Sequence, residues 1–155
     1  MKRAGWWIAA LVLSSAAATA GNAVCTVSTS GVAFGSFNPL PGLSADTAGT
    51  IAVTCTGTVS DTASYTITIT SGMGAFPARK MLAGGGSLTY NLYKDSGCTQ
   101  VWGDGSNGTS VVSGSVTLTS SSMTTNYVVY SRIAGGQRTA KANVYFDSLL
   151  VTVTY

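Results

Sequence analysis

Apolar and polar residues alternate with a period of two in several short runs of the chain. The clearest runs cover residues 65–70, 88–93, 116–119, 127–133 and 149–155. Successive side chains of a β-strand point to opposite faces of the sheet. This period, in segments rich in β-branched and aromatic residues, therefore predicts half-buried strands. No stretch after residue 20 has helical periodicity.

Clusters of turn-forming residues separate these runs. They are PLPG at 39–42, GGG at 84–86, GDG at 103–105 and GG at 135–136. About seven short strands at this spacing predict an all-β fold, an antiparallel sandwich of immunoglobulin-like size. No repeat of fixed period and no linker divides the chain, so we expect one domain.

The N-terminus has the order of features that is typical of a secretory signal peptide. Lys2 and Arg3 precede an apolar stretch at 6–13, and small residues follow up to Ala20. This order predicts a signal peptide over residues 1–20 and an exported domain over 21–155, with cleavage after Ala23 as a second choice. The apolar stretch is shorter than the ~20 residues that span a bilayer, so we expect no membrane insertion after cleavage. A membrane anchor is the alternative.

The chain is poor in charge and contains no histidine. Charged residues make up 8% of the 155 residues, against roughly 25% in ordinary domains, and all five acidic residues are aspartates. Without histidine or glutamate, a Ser-His-Asp triad, a Cys-His pair and a histidine-bound metal are impossible, so we expect no enzyme. The net charge of +3 comes partly from Lys2 and Arg3, and no basic stripe is left for nucleic acid.

Residues 103–108 (GDGSNG) match the spacing G-x-G-x-x-G and offer Asp104, Ser106 and Asn107 as oxygen ligands for calcium. The segment opens no helix, and it lacks the acidic residue that would close a calcium loop. A glycine-rich hairpin loop is the favoured interpretation, and we expect neither a metal nor a cofactor.

Three cysteines in an exported chain indicate one disulfide and one remaining thiol. Cys25 and Cys55 each continue the apolar face of an alternating run, which favours their pairing across neighbouring strands. The loop of about 30 residues that they close would stabilise the domain by roughly 3–4 kcal/mol in the chain-entropy account. Cys98 lies in a predicted turn, as a free thiol or an intermolecular link.

Several segments together resemble the spore coat protein U domain family. They are YNLYKD at 90–95, VWGDG at 101–105, GT at 108–109, VAFG at 32–35, IAVTC at 51–55 and YFDSLLVTVTY at 145–155. The resemblance covers essentially all of the chain after residue 20, and the block from NLY to VWGDG is its most specific part. The family is similar to subunits of archaic chaperone–usher pili, which build surface fibres for adhesion and biofilm formation.

The resemblance implies an immunoglobulin-like sandwich that is incomplete, because a partner supplies one strand. A periplasmic chaperone would fill the gap first, and the N-terminal extension of a neighbouring pilus subunit would replace it at the outer-membrane usher. The resemblance also implies the Cys25–Cys55 disulfide, whereas Cys98 departs from the family pattern.

The resemblance places the C-terminal strand at the border of the gap. The side chains expected on its groove-facing side are Leu149, Val151, Val153 and Tyr155. The chaperone would hold the carboxylate of Tyr155 with basic residues. The alternative is an ordinary edge strand of a complete domain.

Three hypotheses of function follow. The first is an exported structural or adhesive pilus subunit, expected to be a tip or terminal acceptor subunit because cleavage after Ala20 would leave Gly21–Val24 before Cys25. Those residues reach roughly 13 Å, whereas a donated strand needs about ten residues. The second is a secreted coat protein without a pilus. The third is a small exported enzyme or carbohydrate-binding module, which the missing histidine and glutamate disfavour.

Overall fold

The computed structural model describes residues 23–155, and the predicted signal peptide lies outside the described residues. All regular structure in this range is β, which confirms the predicted fold class. The strands are β1 (Val24–Thr29), β2 (Ala45–Thr56), β3 (Thr62–Ile69), β4 (Arg79–Ala83), β5 (Gly86–Tyr93), β6 (Val112–Thr117), β7 (Ser122–Ile133) and β8 (Val151–Thr154). Each of the five alternating runs overlaps one of them. The described part of the chain forms no helix that is long and apolar enough to cross a membrane.

The strands form two antiparallel sheets. One has the order β1-β2-β7-β5-β4, and the other has the order β6-β3-β8. Side chains of both sheets meet in one apolar core, where Ile51 and Val53 of β2 lie in the same cluster as Ile67 and Ile69 of β3. These alternate residues face inward because the period of a strand is two.

The outward faces are built largely from hydroxyl side chains. On the smaller sheet, Thr62 and Thr117 lie opposite each other and share a hydrogen bond of 2.8 Å. On the larger sheet, Thr54 and Thr124 also lie opposite each other and share a hydrogen bond of 2.8 Å. Such pairs hydrate the surface without ionic groups and stabilise cross-strand contacts, which accounts for the low charged fraction.

The predicted disulfide joins Cys25 of β1 to Cys55 of β2. The two residues lie directly opposite each other in the ladder, with Cα atoms 4.0 Å apart, and both are buried. The Ser30 amide donates to the Thr50 carbonyl (3.0 Å). Ser30 and Thr50 are therefore a hydrogen-bonded pair of the ladder. Hydrogen-bonded and non-hydrogen-bonded pairs alternate along an antiparallel ladder, so Cys25 and Cys55 are a non-hydrogen-bonded pair. In such pairs the Cα atoms approach most closely.

A fully buried arginine, Arg79 of β4, forms the polar part of the core. Its guanidinium donates to the carbonyls of Thr70 (3.0 Å) and Trp102 (2.8 Å) and to the side-chain oxygen of Asn91. Asn91 in turn donates to the Phe76 carbonyl (2.6 Å). These bonds tie irregular segments to the sheet, and Asn91 and Trp102 belong to the block that carries the family resemblance.

A candidate strand-binding groove

The two sheets leave their edges unjoined on one side of the sandwich. There β1 pairs with β2 and β8 pairs with β3, and no ladder joins β1 to β8. The two strands nevertheless lie side by side, with Cα atoms within 8 Å of each other. The edges of β1 and β8 therefore border a seam between the sheets.

Both edges carry backbone groups that point into this seam. The Thr70 amide donates to the Leu150 carbonyl (3.1 Å). By alternation along the ladder, the amides and carbonyls of Val151 and Val153 point away from β3. The bond between Ser30 and Thr50 sets the same alternation in β1, so the amide and carbonyl of Val27 point away from β2. An exposed edge of this kind is a template for a further strand.

The seam opens into an apolar cavity of about 290 Å³ at the end of β1. Its floor comes from both sheets and consists of Ile51, Ile69, Met81, Leu92 and Val129, and its wall includes Leu149 and Val151. A second cavity of about 890 Å³ continues from it towards the end of the sandwich, between segments 32–40 and 140–145. Both cavities share Val32, Phe34, Met81 and Tyr145, so together they form one groove.

The structure places the predicted groove residues unequally. Leu149 and Val151 line the first cavity, and Val153 is half-buried against the core. Tyr155 is 56% exposed and lies outside the cavity linings. Leu149, Val151 and Val153 thus lie on the core side, as their period of two predicts, whereas Tyr155 follows the end of β8 and is exposed.

One carboxylate, Asp147, stands at the rim of the first cavity. It accepts hydrogen bonds from the Tyr90 hydroxyl (2.7 Å) and the Met73 amide (3.1 Å). Burial, and then the bond to Asp147, raises the pKa of Tyr90 well above its usual value, so this hydroxyl stays protonated and donates. Sequence reasoning did not single out Asp147, although it belongs to the segment at 145–155 that carries the resemblance.

Exposed apolar side chains surround the open end of the groove. Phe146 at the first cavity is 70% exposed, and Leu40 and Val144 at the second are 68% and 80% exposed. Large apolar residues gathered around a cavity mark a surface that is suited to being covered by a partner.

The loop at 103–108 is held by its own polar contacts. The Asp104 carboxylate accepts bonds from the Ser106 hydroxyl (2.6 Å) and amide (2.8 Å), and these bonds lower the pKa of Asp104. Within residues 23–155, no cluster of three or more metal-ligating side chains occurs.

Cys98 is unpaired within the described part of the chain and lies in a turn with a φ of 57°. Partial burial raises the pKa of its thiol, which therefore remains protonated at neutral pH.

Comparisons with known proteins agree with this architecture. The family model of the Spore Coat Protein U domain matches residues 9–152. A similar solved structure is the CsuC-CsuE chaperone-tip adhesion subunit pre-assembly complex from archaic chaperone-usher Csu pili of Acinetobacter baumannii, with a TM-score of 0.58 and 21% identity. The match covers 86% of this chain and 40% of the other chain. No curated protein matches the chain.

Proposed function

Because the chain belongs to the Spore Coat Protein U domain family, we propose that it is an exported subunit of a chaperone–usher-type surface pilus. Its role is structural or adhesive, and it assembles by accepting a strand from a partner. The observation that carries the proposal is the groove between the unjoined edges of β1 and β8. The chain passes through the periplasm and ends at the cell surface.

The groove has the two features that strand addition requires. Backbone groups of Val151 and Val153 supply hydrogen bonds along the edge, and apolar cavities beside them accept alternate side chains of the incoming strand. The seam is narrow near β8, however. A strand bonded to both neighbours needs about 9.6 Å between them, so the edges of β1 and β8 must part or the partner pairs with one edge only.

The partners follow from the order of assembly. A periplasmic chaperone covers the groove first, and a neighbouring pilus subunit replaces it at the outer-membrane usher. The likeness to a chaperone–subunit complex supports the chaperone as a partner. Catalysis is not part of the proposal, since the groove is lined mainly by apolar side chains and the chain contains no histidine or glutamate.

We propose further that the subunit accepts a strand without donating one, which places it at the tip or another terminal position. Every residue of β1 pairs with β2, and the cystine ties Cys25 to Cys55. Release of β1 as a donor would break this ladder. Cleavage after Ala20 would leave Gly21–Val24 ahead of Cys25, too short a segment to fill a neighbour's groove.

The decisive experiment places a charge in the groove. Val151→Asp puts a carboxylate beside the first cavity, where desolvation opposes a bound strand. Thr152→Asp, on the exposed face of the same strand, is the matched control. Both variants are expressed in the periplasm with the chaperone of the same organism. We expect one-to-one co-purification for the wild type and for Thr152→Asp, and loss of the complex with proteolysis for Val151→Asp.

The same experiment separates the pilus from the coat protein. A wild-type chain that accumulates as a stable monomer without any chaperone would contradict the proposed function and favour a self-sufficient coat protein. Equal recovery of both aspartate variants with the chaperone would exclude the β8 side of the groove as the binding surface.

A further inference from the structure

Asp147 links three separate parts of the chain at the rim of the groove. Tyr90 lies on β5, Met73 lies in the connection from β3 to β4, and Asp147 shortly precedes β8. We propose that Asp147 is a positioning residue for partner binding, since it fixes the segment whose continuation, β8, offers its free edge to the incoming strand. The inference rests on the proposed function.

The strand that Asp147 precedes has little other support. β8 contains four residues, and it pairs with β3 alone. A short edge strand with one neighbour opens locally at a low free-energy cost unless its ends are fixed. Backbone bonds also hold the chain on both sides of Asp147. Phe146 and Leu82 exchange two hydrogen bonds (2.9 and 3.2 Å). Leu150 donates to the Thr70 hydroxyl (3.0 Å) and accepts from the Thr70 amide (3.1 Å).

Asp147 anchors the segment before β8 in addition to these flanking bonds, and its own hydrogen bonds involve a charged group. Hydrogen bonds to a carboxylate are roughly twice as strong as neutral ones. Arg79 lies directly opposite Tyr90 in the ladder between β4 and β5, so a buried cation is placed on the strand next to Tyr90. The core thus holds the carboxylate in place through the buried Tyr90.

Gly72 provides the space that the carboxylate occupies. Its φ is +65°, and a Cβ atom at this position would overlap the Asp147 carboxylate and approach the Leu149 side chain to 2.6 Å. A substitution at Gly72 therefore displaces Asp147 without removing any of its hydrogen-bonding partners. This gives a second and independent way to disturb the same contact.

The test compares variants by amide hydrogen exchange and by peptide binding, using the exported chain. Asp147→Ala removes the acceptor of the hydrogen bond between Tyr90 and Asp147, and Tyr90→Phe removes its donor. Gly72→Ala places a methyl group in the space that the Asp147 carboxylate occupies. Gly136→Ala is the matched control, because Gly136 also has a positive φ (+79°) but no atom within 4 Å of an added Cβ. The probe is a synthetic peptide of alternating valine and serine, flanked by lysines for solubility.

We expect the Leu150 and Thr152 amides to exchange about tenfold faster in the three variants than in the wild type. We also expect the variants to bind the peptide about tenfold more weakly. Both factors correspond to the loss of one charge-assisted hydrogen bond. Amides of β2 and β7 and the control Gly136→Ala should match the wild type in exchange and binding. The double variant Asp147→Ala/Tyr90→Phe should lose no more peptide affinity and no more exchange protection than Asp147→Ala alone, because both changes remove the same contact.

Faster exchange spread evenly over all strands would overturn the proposal, since it would assign Asp147 to global stability. Unchanged exchange at Leu150 and Thr152 would overturn it as well. If the wild type fails to bind the peptide, the proposed function is contradicted. The exchange of these two amides still decides by itself whether Asp147 fixes β8.

Discussion

At the scale of single residues, the polar groups that organise this domain are buried ones. Arg79 has no exposed surface and no carboxylate in contact, yet backbone carbonyls and one amide oxygen accept its bonds. Burial lowers the pKa of Arg79, although the group remains charged at any physiological pH. Each acceptor lies in a different segment, so one side chain holds several parts of the fold.

Replacement of Arg79 should therefore be costly. Arg79→Leu leaves the Thr70 and Trp102 carbonyls without their side-chain donor, at about 1–3 kcal/mol for each buried group that stays unpaired. Relief of the buried charge offsets part of this loss, so we expect the free energy of unfolding to fall by about 2–4 kcal/mol in urea. Lys80→Leu, the adjacent exposed position, should change it by less than about 0.5 kcal/mol.

Equal unfolding midpoints for the variants at Arg79 and Lys80 would show that the network adds no net stability. Arg79→Lys should recover part of the loss at most, because an ammonium cannot donate to two carbonyls with the geometry of a guanidinium.

At the scale of elements, the strands differ in how firmly they are held. β2 and β7 pair along twelve residues each, whereas β1 and β8 are edge strands of six and four residues. The cystine anchors β1 to the long strand β2, and the contacts before β8 anchor the other edge. The groove thus lies between the two elements that need additional bonds to stay in place.

Loss of the disulfide should weaken the β1 edge. The double variant Cys25→Ala/Cys55→Ala opens a loop whose ends are 30 residues apart, and we expect a loss of roughly 3–4 kcal/mol in the free energy of unfolding. The yield of the exported chain should fall together with the free energy of unfolding. Cys98→Ala is the control and should change neither quantity, since Cys98 is unpaired in the described residues.

Peptide mapping under non-reducing conditions checks the pairing itself. A bridge that involves Cys98 in place of Cys25 or Cys55 would contradict the assignment. An unfolding free energy that is unchanged in the double variant would contradict the stabilising role of the cystine.

At the scale of the whole molecule, the sandwich has one side where the edges of β1 and β8 stay unjoined, and two faces that are rich in hydroxyl side chains. At the groove, exposed large apolar side chains and free backbone groups lie close together. On the outward faces, Thr54 bonds with Thr124, and Thr62 bonds with Thr117. In the proposed assembly, a partner strand that fills the groove would leave both faces exposed.

An acceptor that cannot donate should not polymerise by itself. We expect the purified mature chain to remain without fibres in electron micrographs. A peptide with the N-terminal extension of a neighbouring subunit should raise its melting temperature and give a complex that survives mild denaturant. Long fibres formed by this chain alone would overturn the terminal position and show that β1 or a preceding segment is donated.

Local patterns in the sequence were sufficient for the strands whose side chains alternate. Period two is a property of neighbouring residues, so β3, β5 and β7 were predicted without knowledge of their partners. The same local rule placed Cys25 and Cys55 on apolar faces and predicted their bond. β4 was not predicted because Arg79–Ala83 does not alternate, and its pairing with β5 decides its conformation.

The residues at which strands begin and end also depended on pairing with neighbouring strands. The alternation at 116–119 predicted a later strand than β6, which spans Val112–Thr117 because Ser113 and Gly114 pair with β3 despite their weak β-propensity. The regular ladder of β8 begins at Val151, whereas the alternating run begins at 149.

The sequence by itself determined the all-β fold class, the disulfide and a surface almost without charge, because each depends on residue type and nearest neighbours. Only the tertiary structure decided that β1 lies beside β8, that Arg79 is buried, and that Tyr90 meets Asp147. These contacts join residues far apart along the chain. They depend on how the two sheets pack, and a local pattern contains no information about the packing of distant segments.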